Sequence, residues 1–291
     1  GVKTMGAILG IIITLIMVFG GYMLAGGKFN IILHSLPYEM MIIGGAAIGA
    51  FTVGNSFGVI KHTAGDMVKV FTGPKWKKSD YQDLLCLMFA LVRIAKESPV
   101  EIEQHIESPE ESSLFGKYPR IAKDTAAMEM ICDTMRSMIM NFDNPHQVEE
   151  MLEKQIEGLH HDSLHGAHAL QKMADGLPAL GIVAAVLGVI KTMASIDKPP
   201  EVLGQMIGGA LVGTFLGVFL AYGIVGPFAD KVNAIHEEEQ QFYALIRESL
   251  VASLNKHTPQ LCVEVARRSA PKKHRPSFND MEEALREVQT A

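Results

Sequence analysis

At 291 residues, with 48% hydrophobic and only 20% charged side chains, the chain is too apolar for an ordinary pair of soluble domains and reads as a membrane protein. Its net charge of −6 comes wholly from residues 61–176, where 13 Lys and Arg stand against 19 Asp and Glu, which excludes a basic nucleic-acid surface. Cys86, Cys132 and Cys262 form no CxxC pair or regular framework, so neither a disulfide scaffold nor a zinc centre is indicated.

Residues 5–25 are uncharged and reach the ~20 residues a helix needs to cross the hydrocarbon core, which predicts a first span. The stretch is too long for a signal-peptide core and lacks an A-x-A site, so it is expected to remain in the mature protein. A second span is expected at 40–60, between Glu39 and Lys61, with Gly26, Gly27 and Pro37 in a short turn. Residues 1–61 thus form one hairpin. A long polar segment, 62–175, follows, and a second hairpin at 176–229 has spans at 176–196 and 203–229, with Lys191 snorkelling toward the turn between them. Residues 230–291 form a tail. Lys61, Lys69, Lys75, Lys77, Lys78, Lys172 and Lys231 flank the long segments, whereas the short turns hold only Lys28 and Lys198, so the positive-inside rule puts the middle segment and both termini in the cytoplasm.

The cytoplasmic segments read as helical. Leu84, Leu85, Met88, Leu91, Val92 and Ala95 follow helical spacing over 81–97. Ser108 with Pro109 reads as a helix start, further helices are expected near 120–141, 145–174, 230–254 and 279–288, and no strand pattern competes. The fold class is therefore all-α: four transmembrane helices in two hairpins with a helical cytoplasmic domain. The basic run Arg267, Arg268, Lys272, Lys273 and Arg275 reads as a solvated linker. His161, His165 and His168 share one face, but without a nearby Cys or paired carboxylate they read as exposed imidazoles and not as a metal site.

The spans are rich in small residues. Gly209, Gly213 and Gly217 repeat every four positions, Gly45 and Gly49 do so in the second span, and Gly181, Ala184 and Gly188 mark the third, so helices can approach closely. Packing inside one four-helix unit explains this as well as a partner interface does. No Asp or Glu falls within the expected spans, because Glu39, Asp175, Asp197, Glu201 and Asp230 stand at or beyond their ends. An ion path normally needs an intramembrane ionisable group. Either no ion moves, or a partner supplies the carboxylate. Thr214 lies about 20 Å of helix before Pro227 and so sits at mid-bilayer, where a hydroxyl bonded back to its own helix is the ordinary reading. Pro178 is expected in the harmless first turn of the third span, and Pro227 permits a kink. No phosphate loop, nucleophile elbow or zinc motif appears, so a conventional enzyme is not expected, and no cofactor is implied.

The run Ala210-Leu211-Val212-Gly213-Thr214-Phe215-Leu216-Gly217-Val218-Phe219 followed by Pro227 resembles the signature of the MotA family of flagellar stator subunits. Leu177-Pro178-Ala179-Leu180-Gly181-Ile182-Val183-Ala184-Ala185-Val186 is similar to that family's third span, Arg275-Pro276-Ser277-Phe278 to its tail, and Ile106-Glu107-Ser108-Pro109 with Tyr118-Pro119 to its cytoplasmic domain. The resemblance implies a pentamer around a dimer of MotB, a single-span, peptidoglycan-anchored partner whose aspartate accepts protons, in the lipid bilayer of a bacterial inner membrane, turning the rotor protein FliG. It implies that Pro178, Ala185, Thr214, Tyr222 and Pro227 line the proton path, and that Gly209, Gly213 and Gly217 pack helices. Sodium-driven members tend to have a hydroxyl where this chain has Ala185, so the coupling ion is expected to be a proton. Glu103 matches the family's acidic rotor contact. The basic one falls on Ala95, a departure that leaves its role to Arg93 and Lys96 on either side. The alternatives are a TolQ- or ExbB-like energiser, which typically has three spans, and a passive membrane scaffold.

Overall fold

The computed structural model describes residues 2–290. Every regular element among the described residues is helical. The chain divides into two compact units, one formed by the chain up to Gly73 with Ser163–Ile235 and the other by Pro74–Asp162 with His236 onward. Four helices are long and apolar enough to cross a membrane, within Met5–Leu24, Phe29–Gly54, Pro145–Met193 and Pro200–Leu254.

In the first unit, α1 (Val2–Leu24) ends where Gly26 adopts φ +85°, a conformation that suits glycine. The turn is shorter than the sequence implies. Helix α2 (Phe29–Gly54) begins well before residue 40 and runs through Pro37, which deletes only the bond to the Leu33 carbonyl. It also stops before residue 60. Asn55 is extended, with its side-chain amide donating to the Phe51 carbonyl at 2.8 Å, and the Ser56 hydroxyl accepts from the Val59 N–H to start α3 (Phe57–Thr72). The expected span at 40–60 therefore covers the end of one helix and the start of another.

Helix α9 (Pro145–Met193) contributes to both units and merges the helix expected at 145–174 with the third span. Pro178 is thus not in a first turn. It sits inside a continuous helix, where it leaves the Ala174 carbonyl without its usual donor. Helix α10 (Pro200–Leu220) passes through a π-helical turn, Ala221–Val225, into α11 (Gly226–Leu254). The Gly226 N–H reaches the Ala221 carbonyl, and this widened turn directly precedes Pro227, where an α-helical bond is lost anyway. Phe19 meets Phe29, Phe215 and Phe219 at centroid distances of 5.4, 5.9 and 5.8 Å, fastening α1 to α10.

The second unit is built around α4 (Lys78–Glu97), whose residues from Leu84 to Val92 are all buried. Trp76 stacks on Phe242 at 3.9 Å, and Tyr81 meets the same ring edge-on. Arg120 pairs with the buried Asp80 at 2.6 Å, which holds α7 (Pro119–Ala122) against the start of α4. The short α5 (Pro99–Glu107) and α6 (Ser113–Gly116) follow. Ser108 ends α5 instead of opening a helix, and Ser112 is the residue that caps, accepting from the Phe115 N–H. Helix α8 (Thr125–Ile139) completes this layer.

The tail differs from the expected linker. Pro259–Ser269 forms α12, capped by Thr258, so Arg267 and Arg268 lie on a helix and both bind Glu264. Arg267 also donates to the Pro276 carbonyl and Arg275 to that of Ala270, fixing the approach to α13 (Phe278–Thr290). These cations are committed to structure and not simply solvated.

Candidate functional site

Helices α9 and α10 run antiparallel with their backbones in contact, because the facing residues lack side chains. A Cβ on Gly217 would stand 2.6 Å from the Leu177 carbonyl oxygen, one on Gly181 2.9 Å from that of Gly213, and one on Gly188 2.6 Å from the Ala210 Cβ. The glycine ladder works inside the chain. Gly209 and Gly213 make room for α2 as well: a Cβ on Gly209 would lie 2.9 Å from Ser35 Oγ, and one on Gly213 2.6 Å from Glu39 Oε2. By contrast, Gly45 and Gly49 meet nothing within 4 Å.

Helix α2 runs past the expected start of the second span at residue 40, so Glu39 stands within a helix long and apolar enough to cross a membrane. Glu39 lies about 15 Å of helix beyond Phe29 and about 22 Å before Gly54. Its side chain is 7% exposed, on one buried stripe with Ile43 and Ala47 that faces α10. Its partner in that contact, Gly213, lies about 20 Å along its own helix from Pro200. The i, i+4, i+8 spacing of Glu39, Ile43 and Ala47 is the signal in the sequence that puts the acid on their face, although Pro37 just before it reads as a turn.

Ala185 and Thr214 come to one level of this bundle, since a Cβ on Gly213 would also lie 3.2 Å from the Ala185 backbone nitrogen. The hydroxyls of Thr14, Thr52 and Thr192 donate back to the carbonyl four residues earlier. Thr214 is assigned no such bond among the described residues, unlike the ordinary reading of a membrane threonine. Pro178 adjoins the contact between Leu177 and Gly217. Tyr222 and Pro227 are elsewhere: they line a cavity of about 470 Å³ with Thr14 and Lys231, against α1 and α3, and Tyr222 is 72% exposed.

In the second unit Glu103 is exposed on α5. Lys96 donates to the His257 carbonyl, so it also ties down the loop before α12. Arg93 is half-buried over the Phe89 ring at 5.8 Å and lines a groove with Asp83 and Glu101. Burial, and then the charge of Asp80, push the Asp83 carboxyl above its ordinary value. The Lys96 ammonium is thus committed to a carbonyl of the chain itself. On one turn of α9, ligand atoms of His161, Asp162 and His165 lie within 4.8 Å of one another, all exposed, so a carboxylate does stand beside the histidines.

Residues 8–99 match the family described as Motility protein A N-terminal, and residues 122–244 match the MotA/TolQ/ExbB proton channel family. Motility protein A of Salmonella typhimurium is 38% identical over 282 residues, covering 97% of this chain and 95% of that protein. The fold is similar to that in the structure of C. jejuni MotAB, with a TM-score of 0.73 at 19% identity over 94% of this chain and 99% of that one. It is also similar to that in the flagellar MotAB stator complex from Bacillus subtilis, with a TM-score of 0.63 at 21% identity over 89% and 92%. With both halves matched and more than a third of its residues shared with a full-length relative, the chain belongs to the motility protein A branch of the MotA/TolQ/ExbB proton channel family.

Proposed function

We propose that this chain is the torque-generating subunit of a flagellar stator, working in a bacterial inner membrane with a single-span, aspartate-bearing, peptidoglycan-anchored MotB. The observation that carries the reading is the 38% identity with a motility protein A across nearly the whole chain. Both solved relatives are described as MotAB complexes, which supports a MotB partner. In this reading both termini and the second unit are cytoplasmic, the subunit is one of a pentamer around a MotB dimer, and protons pass inward at the level of Ala185 and Thr214. Each charge crossing 100 mV releases about 2.3 kcal/mol, enough to bias a step of a rigid ring but not to rebuild its packing. Ala185 offers no oxygen to a hard cation that needs several, which favours the proton over sodium. Glu103, with Arg93 or Lys96, is the proposed contact with FliG.

The test is complementation of a strain lacking its stator. Expressed with its MotB, the chain restores swimming, and Thr214→Ala and Pro227→Ala lose it at parental membrane abundance. Failure of the parental chain to restore swimming would overturn the reading and favour a scaffold that only assembles partners, and parental swimming by both variants would overturn the roles given to Thr214 and Pro227.

A further inference from the structure

Glu39 is a carboxylate of this chain that no part of the reading above uses. It is more than nine-tenths buried, and its Oε2 has no hydrogen-bond partner. A buried acid oxygen in that state must be met by a proton or by a donor that another molecule brings. The space around it is built. Gly209 and Gly213 lack the side chains that would collide with Ser35 Oγ and Glu39 Oε2, so two rungs of the ladder accommodate polar groups of α2 as well as allowing helices to approach. Ser35, His34, Tyr38 and Glu39 line a cavity of about 270 Å³ together with Lys191 and Gln205. Lys191 and Gln205 stand near the short turn between α9 and α10, while Glu39 reaches the level of Gly213 and the Ala185 backbone. The cavity therefore runs from a polar end of the bundle to Glu39, whose Oε2 lies beside Gly213, next in sequence to Thr214.

We infer that Glu39 is a proton relay of this chain. It takes a proton from water at the Lys191 end of the cavity and passes it toward the coupling site beside Thr214. This rests on the proton-coupled stator reading. In the first step Glu39 Oε2 gains the proton that a hydronium loses, leaving water. In the second, Oε2 releases the same proton to the aspartate carboxylate of the MotB partner, which becomes the carboxylic acid, and the Glu39 carboxylate is restored. The groups facing this acid are few. On α10 they are Gly209 and Gly213 with Gln205 above, on α9 Lys191, and on α2 itself His34 and Tyr38. No second carboxylate lines the cavity, so one acid carries the transfer.

The experiment uses the full chain with its MotB in a stator-null strain. Glu39→Gln keeps shape and removes the titrating proton, and it is expected to slow swimming by about tenfold or more at parental membrane abundance. Glu39→Asp is expected to swim with a shifted dependence on external pH. Thr214→Ala serves as the control for the stator reading. If Thr214→Ala stops swimming and Glu39→Gln swims at parental speed at every external pH, the relay is wrong and the stator reading stands. If neither variant affects swimming, the relay and the role of Thr214 both fail, whereas a parental chain that cannot restore swimming fails the stator reading itself. Should Glu39→Gln not reach the membrane, the parental complex decides the matter through a hydrophobic carbodiimide, which attacks protonated carboxyls in apolar surroundings. Labelling of Glu39 found by mass spectrometry, rising as external pH falls and accompanied by loss of swimming, supports the relay, and an unlabelled Glu39 overturns it.

Discussion

Glu39 Oε2 lies 2.6 Å from the point where a Cβ on Gly213 would stand, so the carboxylate of α2 rests against the Gly213 backbone of α10 and a side chain there would displace it. Gly213 serves two neighbours at once, since a Cβ there would also lie 3.0 Å from the Ala184 Cβ and 3.2 Å from the Ala185 nitrogen of α9.

The glycines of the ladder should differ in their response to alanine. At Gly217 the new methyl meets the Leu177 carbonyl at 2.6 Å and the Gly181 Cα at 2.8 Å, both backbone atoms that cannot turn aside. Gly217→Ala is expected to destabilise the first unit by about 1–3 kcal/mol and to lower membrane abundance. Gly45→Ala, which faces open space within the chain, is expected to leave the fold and its abundance unchanged. Thermal melts of the two purified variants in detergent, read against the parent, check both.

Glu103 is exposed on a short helix, so its charge can be changed without disturbing the core. Glu103→Lys should impair swimming while stability stays within about 0.5 kcal/mol of the parent. Lys96→Ala should do two things at once, because losing its bond to the His257 carbonyl also loosens the loop before α12. Swimming assays paired with limited proteolysis around residues 255–258 separate the effects.

Hydrogen bonding to Arg267, with further help from Arg268, holds the Glu264 carboxyl down at about 2. Its ordinary value is 4.5, so the pair contributes stability above about pH 4.5, and that contribution is lost as pH falls through the folded value near 2. Glu264→Gln is expected to cost on the order of 1 kcal/mol at neutral pH. The gap between variant and parent should shrink as pH drops from about 4.5 toward 2, which denaturant melts at a series of pH values would follow.

The three cysteines are free and buried. Burial pushes the Cys86 thiol up to about 12 and that of Cys132 to about 11. A thiol reacts as the thiolate, so maleimide at about pH 8 should leave both unlabelled in the folded protein and label them after denaturation. Mass spectrometry of the intact chain counts the adducts.

What was legible in the sequence is what depends on local pattern. Helix α4 follows from the spacing of Leu84, Met88 and Leu91, and the four spans follow from the absence of charge over about 20 residues. What was lost depends on tertiary partners. Glu39 looks like a boundary until Gly213 is seen to receive it. Thr258 followed by Pro259 is a helix start for α12 that the sequence carries, while the basic residues after it have the composition of a solvated linker. The fate of Pro178 depends on whether α9 breaks before it, and no residue between Pro145 and Met193 stops that helix. The π-helical turn at Ala221–Val225 has no sequence signal beyond the proline that follows it.

The most direct test of proton coupling is swimming speed in cells powered only by this chain and its MotB, measured while external sodium and the proton gradient are varied independently. The account predicts a speed that follows the proton gradient and is unchanged when sodium is removed. A speed that rises with external sodium, and persists when the pH gradient is collapsed, would contradict it.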